Sequence, residues 1–240
     1  MNRNEEARRE FIAKNAKQRQ VCIGVPSNDE VKANFAMALA AMCLYSGYRG
    51  IPLALCNQKG SILPMNRNRL VKEAQKLNCT HILQVDSDLT FPPGALERLL
   101  DHKQPIVGAT YPRRSPPHDN LAVPLNKAPT AKVTGLAEVD RLPTGLLLME
   151  LSVFDKITKP YFRFPTLDQC ESYPEGNIAG EDYYLCDAAR EAGYKVYLDV
   201  ELSFMLTHWG EAGWRLKDIQ PDAPDNSPKF EMVELQSTAT

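Results

Sequence analysis

The chain has 240 residues, of which 43% are hydrophobic and 24% charged, which is ordinary for a globular protein and argues against wholesale disorder. Lysine and arginine number 28 against 30 aspartates and glutamates, and the resulting formal charge of −2 excludes a global basic field for nucleic acid or anionic membrane. Without a signal peptide, a membrane-length apolar run or a CxxC pair among six cysteines, we expect a soluble, cytoplasmic protein with reduced thiols.

Composition divides the chain into three parts. Residues 1–19 alternate charges with Ala, Phe11 and Ile12, which predicts an exposed N-terminal helix or extension. Residues 20–215 carry strand and helix patterns throughout, as expected of one α/β domain. Residues 216–240 are polar and contain three prolines, which predicts a fraying tail.

The first half of the domain alternates strand and helix patterns. "QVCIGVPSN" predicts a buried strand broken by Pro26, and "DEVKANFAMALAAMCLYSG" has helical spacing with Gly47 as a stop. "GIPLALCN" predicts the second strand, "NRNRLVKEAQKLN" the second helix and "THILQVDSD" the third strand. This β-α-β-α-β order is typical of an α/β fold with a mostly parallel sheet.

The second half is less regular. A helix at "PPGALERLLDHK" and a strand at "QPIVGATY" precede a proline-rich stretch from about 111 to 130, which we interpret as a lid or binding loop. "AEVDRLPTGLLLMEL" predicts paired strands around a turn, and a short helix follows at "SVFDKI". "EDYYLCDAAREAG" predicts a helix that begins with acids and ends at Gly193, and "YKVYLDVELSFMLTHWG" is again strand-like.

Two aspartates end the third predicted strand. Ligands of open parallel sheets collect at the carboxyl ends of the strands, where Asp86 and Asp88 lie. If the backbone is extended there, both carboxylates face one cleft and Ser87 faces away. Paired carboxylates suit Mg²⁺ or Mn²⁺ bound also to a phosphate group. The alternative is that one aspartate caps the next helix while the other is solvated.

Other polar groups come later in the chain. Glu181 and Asp182 begin a predicted helix, where a carboxylate either caps the helix or acts as a general base. His208 follows a predicted strand and is either a structural residue or a nitrogen ligand for Mn²⁺ or Zn²⁺. Arg113 and Arg114 either neutralise phosphate or form a solvated pair on the loop.

The ordered set "ILQVDSDLTFPPGAL", "VGATYPRR", "LPTGLLLMELSVFDKI", "GEDYYLCDAAREAGYKVYLD" and "LTHWG" resembles the GT-A fold nucleotide-sugar-dependent glycosyltransferases, in particular small family-2-like enzymes of bacteria and phages. The resemblance covers roughly residues 20 to 215. It implies a Rossmann-like, three-layer α/β/α fold. It also implies that Asp86 and Asp88 hold a divalent cation, Mn²⁺ or Mg²⁺, with His208 completing the metal site.

The same resemblance assigns further roles. Asp182 matches the catalytic base of inverting members, and Glu181 lies beside it. Asp86 and Asp88, with Ser87 between them, would also bind the donor diphosphate. The other positions that match donor or sugar contacts are Pro26, Ser27, Arg67, Asn68, Arg113, Thr144 and Gly145.

The implied reaction moves a sugar from a nucleotide-sugar, UDP- or GDP-linked, to an acceptor hydroxyl. The acceptor would be a glycan, a lipid-linked sugar, a protein or a modified nucleic-acid base. Two other functions stay open. "VDSDLT" fits the opening motif of haloacid-dehalogenase-type phosphohydrolases, although about 80 residues precede it here. A non-catalytic nucleotide-sugar-binding module is the second.

Overall fold

The computed structural model of the chain describes residues 20–116, 118–125, 135–165, 180–210 and 213–216. The predicted N-terminal helix at 1–19 and nearly all of the predicted tail lie outside the described residues. The strands are β1 (Val21–Ser27), β2 (Leu53–Lys59), β3 (His81–Val85), β4 (Leu89–Thr90), β5 (Ile106–Gly108), β6 (Val123–Pro124), β7 (Leu136–Arg141), β8 (Leu146–Glu150), β9 (Val196–Asp199), β10 (Thr207–Trp209) and β11 (Gly213–Trp214). The helices are α1 (Ala33–Tyr48), α2 (Leu63–Lys76), α3 (Ala95–Asp101), α4 (Glu181–Glu191) and α5 (Val200–Ser203), with a 3₁₀ helix at Leu151–Asp155.

The predicted α/β class with a mostly parallel central sheet is confirmed. Eight strands form this sheet in the order β2-β1-β3-β8-β5-β9-β7-β6. Six of them run in one direction, whereas β8 and β7 run in the other. A small second sheet has the order β11-β10-β4 and stands beside the end of β3.

Helices cover both faces of the central sheet and give the molecule three layers. On one face, α2, α4 and the 3₁₀ helix pack on a core that includes Leu70, Phe154 and Leu185. On the other face, α1, α3 and α5 pack on a core that includes Phe35 and Leu96. Burial of these two apolar faces is the main force that holds the layers together.

Helix α1 ends later than the sequence pattern predicted. Gly47 lies inside the helix, which continues to Tyr48. The chain then turns at Gly50, whose φ of 74° lies in the left-handed region that glycine adopts most readily. The predicted stop at Gly47 was therefore one residue early: Arg49, which caps the helix, keeps a right-handed φ of −75°, and Gly50 after it takes the left-handed conformation.

Three other predicted elements differ in the structure. The first strand is not broken by Pro26 but continues to Ser27. Its pairing with β3 stops at Gly24, so at Pro26 the strand β1 is paired only with β2. The strands β7 and β8 exist as predicted, but they do not pair with each other, because β5 and β9 lie between them in the sheet. The last strand-like stretch is divided by α5 into β9 and β10.

The sheet topology brings several loops to one edge. The strands β1, β3, β5 and β9 run in the same direction, so the segments that follow them meet at the carboxyl edge of the sheet. Within the described residues, no helix is both long enough and apolar enough to cross a membrane.

Candidate active site

The two aspartates of the third strand lie in a turn rather than in extended backbone. Strand β3 ends at Val85, and the amide of Leu89 donates to the carbonyl of Asp86 over 3.3 Å. The amide of Asp86 donates to the carbonyl of Gly145 over 3.0 Å, which ties this turn to the start of β8. The carboxylates of Asp86 and Asp88 have different hydrogen-bond partners, and the backbone between them is a turn rather than the extended chain that the sequence analysis assumed.

Asp86 is bound by protein groups. Its Oδ1 accepts a hydrogen bond of 2.6 Å from Nη2 of Arg67, and its Oδ2 accepts one of 3.3 Å from the hydroxyl of Tyr111. Arg67 lies on α2 with 2% of its side chain exposed, and its Nε donates to Oε1 of Glu181 over 3.0 Å. Burial alone would lower the pKa of Arg67, but the two carboxylates hold this pKa above its usual value. Arg67 therefore joins the end of β3 to the start of α4 as a charged group.

Asp88 faces a different set of groups. Its Oδ2 accepts a hydrogen bond of 2.8 Å from Nη1 of Arg114, and its Oδ1 lies 3.6 Å from Nε2 of His208. That Oδ1 atom is buried and has no hydrogen-bond partner. Burial alone would raise the pKa of Asp88, but the nearby His208 and Arg114 hold it below its usual value. Asp88 is consequently a partly buried carboxylate whose charge the surrounding groups favour.

The tautomer of His208 follows from its second nitrogen. Nδ1 lies 2.8 Å from the carbonyl oxygen of Pro112, which only accepts, so Nδ1 carries a proton and donates. In the neutral ring, Nε2 then presents its lone pair toward Asp88. A backbone carbonyl that fixes the far nitrogen in this way is the usual support of a metal-binding histidine.

These two residues fit a divalent cation. Oδ1 of Asp88, which is buried and has no hydrogen-bond partner, lies 3.6 Å from Nε2 of His208, and with the ring neutral these two acceptor atoms would suit a cation between them. Mg²⁺ and Mn²⁺ accept one or two protein ligands when phosphate oxygens complete the shell. Among the described residues, no cluster of three His, Cys, Asp or Glu side chains could hold a metal ion.

Asp182 lies in the first turn of α4 with an altered pKa. Burial first, and then the charge of Glu181, raise the pKa of Asp182 from 3.8 to about 7, while Arg67 acts in the opposite direction. Its Oδ1 accepts a hydrogen bond of 2.8 Å from the amide of Tyr183. A carboxylate with a pKa near 7 can exchange a proton at neutral pH, and Glu181, which is bound to Arg67, is the less available of the pair.

Tyr111 is the residue at this site that the sequence analysis missed. Its ring lies against that of His208 with centroids 4.7 Å apart, and its hydroxyl donates to Asp86. Burial, and next the charge of Asp86, raise the pKa of Tyr111 well above its usual value, so the hydroxyl stays protonated and donates. The only sequence signal was the position of Tyr111 at the end of a predicted strand, beside the two arginines.

Gly145 makes room for that tyrosine. A Cβ atom at position 145 would lie 2.1 Å from Oη of Tyr111 and 2.7 Å from Cδ1 of Leu89. Any side chain here would therefore displace the hydroxyl that bonds to Asp86. The neighbouring Thr144 is buried, and its hydroxyl has no hydrogen-bond partner.

A cleft of about 790 Å³ opens at this edge of the sheet. Ser87, Asp88 and Arg114 lie on its wall, as do the 28–32 segment after β1 and the 60–61 segment after β2. The volume falls within the range of small-molecule sites in proteins. The described residues that line it include carboxylates and cations together, which suits a ligand that carries phosphate groups.

The other predicted site residues have varied positions. Ser27 ends β1, accepts a hydrogen bond from Asn57 and donates to the next carbonyl, and neither it nor Pro26 lines the cleft. Asn68 binds the backbone of Tyr161 and Phe162, so its amide holds the segment after the 3₁₀ helix. Arg113 lies 2.9 Å from Asp119 on its own loop, and it is Arg114 that reaches Asp88.

Comparison with known proteins identifies the fold alone. No protein-family model matches the chain, and no curated protein matches its sequence significantly. Among solved structures, the protein A197 from STIV has a TM-score of 0.52 at 13% identity, over 80% of this chain and 86% of that one. This similarity shows a shared fold.

Two further structures match with lower scores. One is a glycosyltransferase involved in glycosylation of the major capsid of PBCV-1, with a TM-score of 0.36 at 11% identity over 75% of this chain and 93% of that one. The other is a Drosophila β1,4-galactosyltransferase 7 mutant in complex with manganese, UDP-Gal and xylobiose, with a TM-score of 0.40 at 13% identity over 89% of this chain and 77% of that one. The chain is thus similar in architecture to A197 from STIV, and solved glycosyltransferases are found among its more distant structural matches.

Proposed function

We propose that the protein is a metal-dependent glycosyltransferase that moves a sugar from a nucleoside-diphosphate sugar to an acceptor hydroxyl. The observation that carries this proposal is the pair of facing acceptor atoms, Oδ1 of Asp88 and Nε2 of His208, at the wall of a cleft large enough for a nucleotide-sugar. A divalent cation bound there with two phosphate oxygens would complete an otherwise unsatisfied site.

The chain's own residues have distinct roles in this proposal. Asp88 and His208 would hold the cation, Mn²⁺ or Mg²⁺, and Ser87 would line the donor site with them. A bound cation supplies Lewis-acid stabilisation of the negative charge that grows on the departing diphosphate. Asp86 is the third residue predicted to bind the cation, and Arg67 and Tyr111 orient its carboxylate.

Asp182 would remove the proton from the acceptor hydroxyl. Its raised pKa of about 7 lets the carboxylate accept a proton and release it again at neutral pH. The reaction would then invert the configuration at the anomeric carbon, because one base on the acceptor side assists a single displacement. Glu181, paired with Arg67, would position the start of α4 rather than take the proton.

The remaining predicted contacts belong to the donor and sugar side of this proposal. Thr144 has a buried hydroxyl without a hydrogen-bond partner, which a sugar or phosphate oxygen could satisfy. Gly145 shapes the wall beside it. Pro26 and Ser27 lie just before the 28–32 segment of the cleft, and Arg113 lies beside Arg114. Asn68 and Arg67 would act through the backbone and the acids that they bind.

The phosphohydrolase alternative agrees less well with the geometry. It requires Asp86 to attack a phosphorus atom with a free carboxylate oxygen. Both oxygens of Asp86 already accept hydrogen bonds, from Arg67 and Tyr111. A non-catalytic binding module would have no use for a carboxylate whose pKa lies near 7.

The test is to incubate the protein with Mn²⁺ and a panel of UDP-, GDP- and dTDP-sugars and to measure nucleotide release, which slow donor hydrolysis produces even without an acceptor. Thermal unfolding of the protein with each donor gives a second measurement. We expect nucleotide release and a raised unfolding temperature with at least one donor, and loss of both in excess EDTA. No nucleotide release and no change in unfolding temperature with any donor of the panel would contradict the proposal.

A further inference from the structure

The guanidinium of Arg114 lies beside Asp88 on the wall of the cleft. Nη1 of Arg114 lies 2.8 Å from Oδ2 of Asp88, and both residues line the same cleft. The other oxygen of Asp88 faces His208 and lacks a hydrogen bond. In this form, Arg114 supplies the positive charge that a buried carboxylate requires.

Backbone contacts hold the segment that carries Arg114. Pro112 and Asn120 form a β-bridge, and the amide of Arg113 donates to the carbonyl of Asp119 over 2.9 Å, which closes this loop on itself. Arg113 pairs with Asp119 on the loop, whereas Arg114 points to the cleft. Because 52% of its side chain is exposed, Arg114 can change its partner without disrupting the core.

A divalent cation on Asp88 changes the electrostatics of this pair. A cation and a guanidinium that share one carboxylate lie a few ångströms apart and repel each other. A nucleoside diphosphate brings several negative oxygens into the same cleft, and a guanidinium binds such oxygens through paired hydrogen bonds. The lowest-energy arrangement of the filled cleft therefore has the cation on Asp88 and Arg114 on the diphosphate.

We infer that Arg114 exchanges partners during donor binding: it neutralises Asp88 before the donor binds, and it moves to the diphosphate of the donor when a divalent cation binds the other oxygen of Asp88. This inference rests on the proposed function, because it assumes a cation and a diphosphate in this cleft. It assigns to Arg114 two opposite effects, as a competitor of the free cation and as a ligand of the nucleotide.

The opposite signs make the inference testable by one substitution. Arg114→Gln removes the charge but keeps a side chain of similar polarity. We expect it to bind Mn²⁺ alone about threefold more tightly, since one exposed ion pair no longer competes. In saturating Mn²⁺, we expect UDP or GDP, whichever the unchanged protein binds, to bind at least about tenfold more weakly, because charge-assisted hydrogen bonds to the diphosphate are lost.

Arg49→Gln is the matched control. Arg49 forms an ion pair with Glu97 whose two side chains are 50% and 23% exposed, close to the 52% and 20% of Arg114 and Asp88. Arg49 follows the C-terminus of α1, and the N-terminus of this 16-residue helix lies beside the cleft, about 24 Å away. The control substitution therefore changes the net charge by the same amount, but far from the cleft. Mn²⁺ affinity is measured by calorimetry and by the paramagnetic resonance of free Mn²⁺, nucleotide affinity by calorimetry, and folding by thermal unfolding.

Each result has a defined meaning. Tighter Mn²⁺ binding together with weaker nucleotide binding, in Arg114→Gln but not in Arg49→Gln, supports the exchange. Weaker binding of both ligands shows a purely structural Arg114, and unchanged binding of both shows a solvated one; either overturns the inference while the proposed function stands. If the unchanged protein binds neither Mn²⁺ nor either nucleotide, the proposed function fails and the inference fails with it.

Discussion

The Nη2 atom of Arg67 lies 2.6 Å from Oδ1 of Asp86, and this ion pair joins helix α2 to the end of strand β3 beneath the candidate active site. Arg67 is almost fully buried and also binds Glu181 at 3.0 Å. One guanidinium thus neutralises two carboxylates that come from different elements. The position of α4, which carries Asp182, depends on this contact.

We expect Arg67→Met to lower the free energy of unfolding by about 3–5 kcal/mol, because it leaves two carboxylates without their counter-charge in a buried place. Urea unfolding at pH 7 measures this change. The control is Arg49→Met, which breaks a half-exposed ion pair with Glu97 and should lower the free energy of unfolding far less, because solvent screens that pair. Equal losses in the two variants would contradict a structural role for the buried pair.

Asp88 and His208 should determine the affinity for Mn²⁺. Asp88→Asn and His208→Gln each remove one of the two facing ligand atoms, and we expect each to weaken Mn²⁺ binding, measured by calorimetry, by more than about tenfold. Asp119→Asn is the control, since Asp119 is an exposed carboxylate paired with Arg113 on the neighbouring loop. Retention of full Mn²⁺ affinity by both ligand variants would place the cation elsewhere.

Asp182→Asn should separate turnover from binding. The amide keeps the size of the side chain but cannot accept a proton, so we expect donor-dependent turnover to fall at least about 100-fold. Binding of Mn²⁺ and of the nucleotide should stay within about twofold, because Asp182 lies outside the residues that line the donor cleft. Steady-state transfer and calorimetry measure the two effects. A variant that loses binding and turnover in parallel would show that Asp182 belongs to the donor site.

The raised pKa of Asp182 also affects stability. The folded protein holds the proton with a pKa of about 7, whereas an unfolded aspartate has a pKa of about 3.9. The fold thus favours the protonated form, and this contribution is complete below about pH 4 and is lost as the pH rises through about 7.

Urea unfolding across this pH range tests the linkage. We expect the free energy of unfolding to fall between pH 5 and pH 8 in the unchanged protein and to fall less in Asp182→Asn, which has no proton to lose. Every other titrating group is common to the two proteins, so the difference between their curves isolates Asp182. Parallel curves would mean that Asp182 titrates near its usual pKa.

Gly145 should tolerate no side chain. Gly145→Ala places a Cβ atom 2.1 Å from Oη of Tyr111, and we expect a loss of about 1–3 kcal/mol in unfolding free energy together with lower activity. The control is Gly47→Ala in helix α1. A Cβ atom there would meet nothing within 4 Å beyond its chain neighbours and its own helix backbone, and the loss of glycine flexibility should stabilise the protein by about 0.5–1 kcal/mol. Thermal unfolding that ranks the two variants in the opposite order would contradict this account of Tyr111.

Much of the fold could be predicted because its elements have clear periodicity. Strand β3 and helix α2 lie close to where the apolar spacing placed them, since local hydrophobic pattern selects the backbone conformation. Strand pairing was harder. "AEVDRLPTGLLLMEL" contains β7 and β8, yet β5 and β9 lie between them, because the order of strands in a sheet depends on contacts distant in sequence.

The candidate site shows the same division. The position of Asp88 after strand β3 could be predicted, because a buried apolar run ends just before it, whereas His208 was expected after a strand and lies within β10 of the small second sheet. The sequence did not show which of the two adjacent arginines, Arg113 or Arg114, would reach the cleft. The loop geometry decides it, since Arg114 pairs with Asp88 in the cleft and Arg113 pairs with Asp119. Tyr111 carried no motif at all.

The sequence by itself determined the α/β class, the order of its main elements and the two acids that follow β3. Tertiary structure decided that Asp86 binds Arg67, while Asp88 faces His208 and Arg114. The physical reason is that the turn after β3, tied to the carbonyl of Gly145, gives each carboxylate its own hydrogen-bond partners, Arg67 and Tyr111 for Asp86 and Arg114 for Asp88. His208 lies 120 residues beyond Asp88 in the chain, and only the packed sheet brings its ring nitrogen to 3.6 Å from that carboxylate.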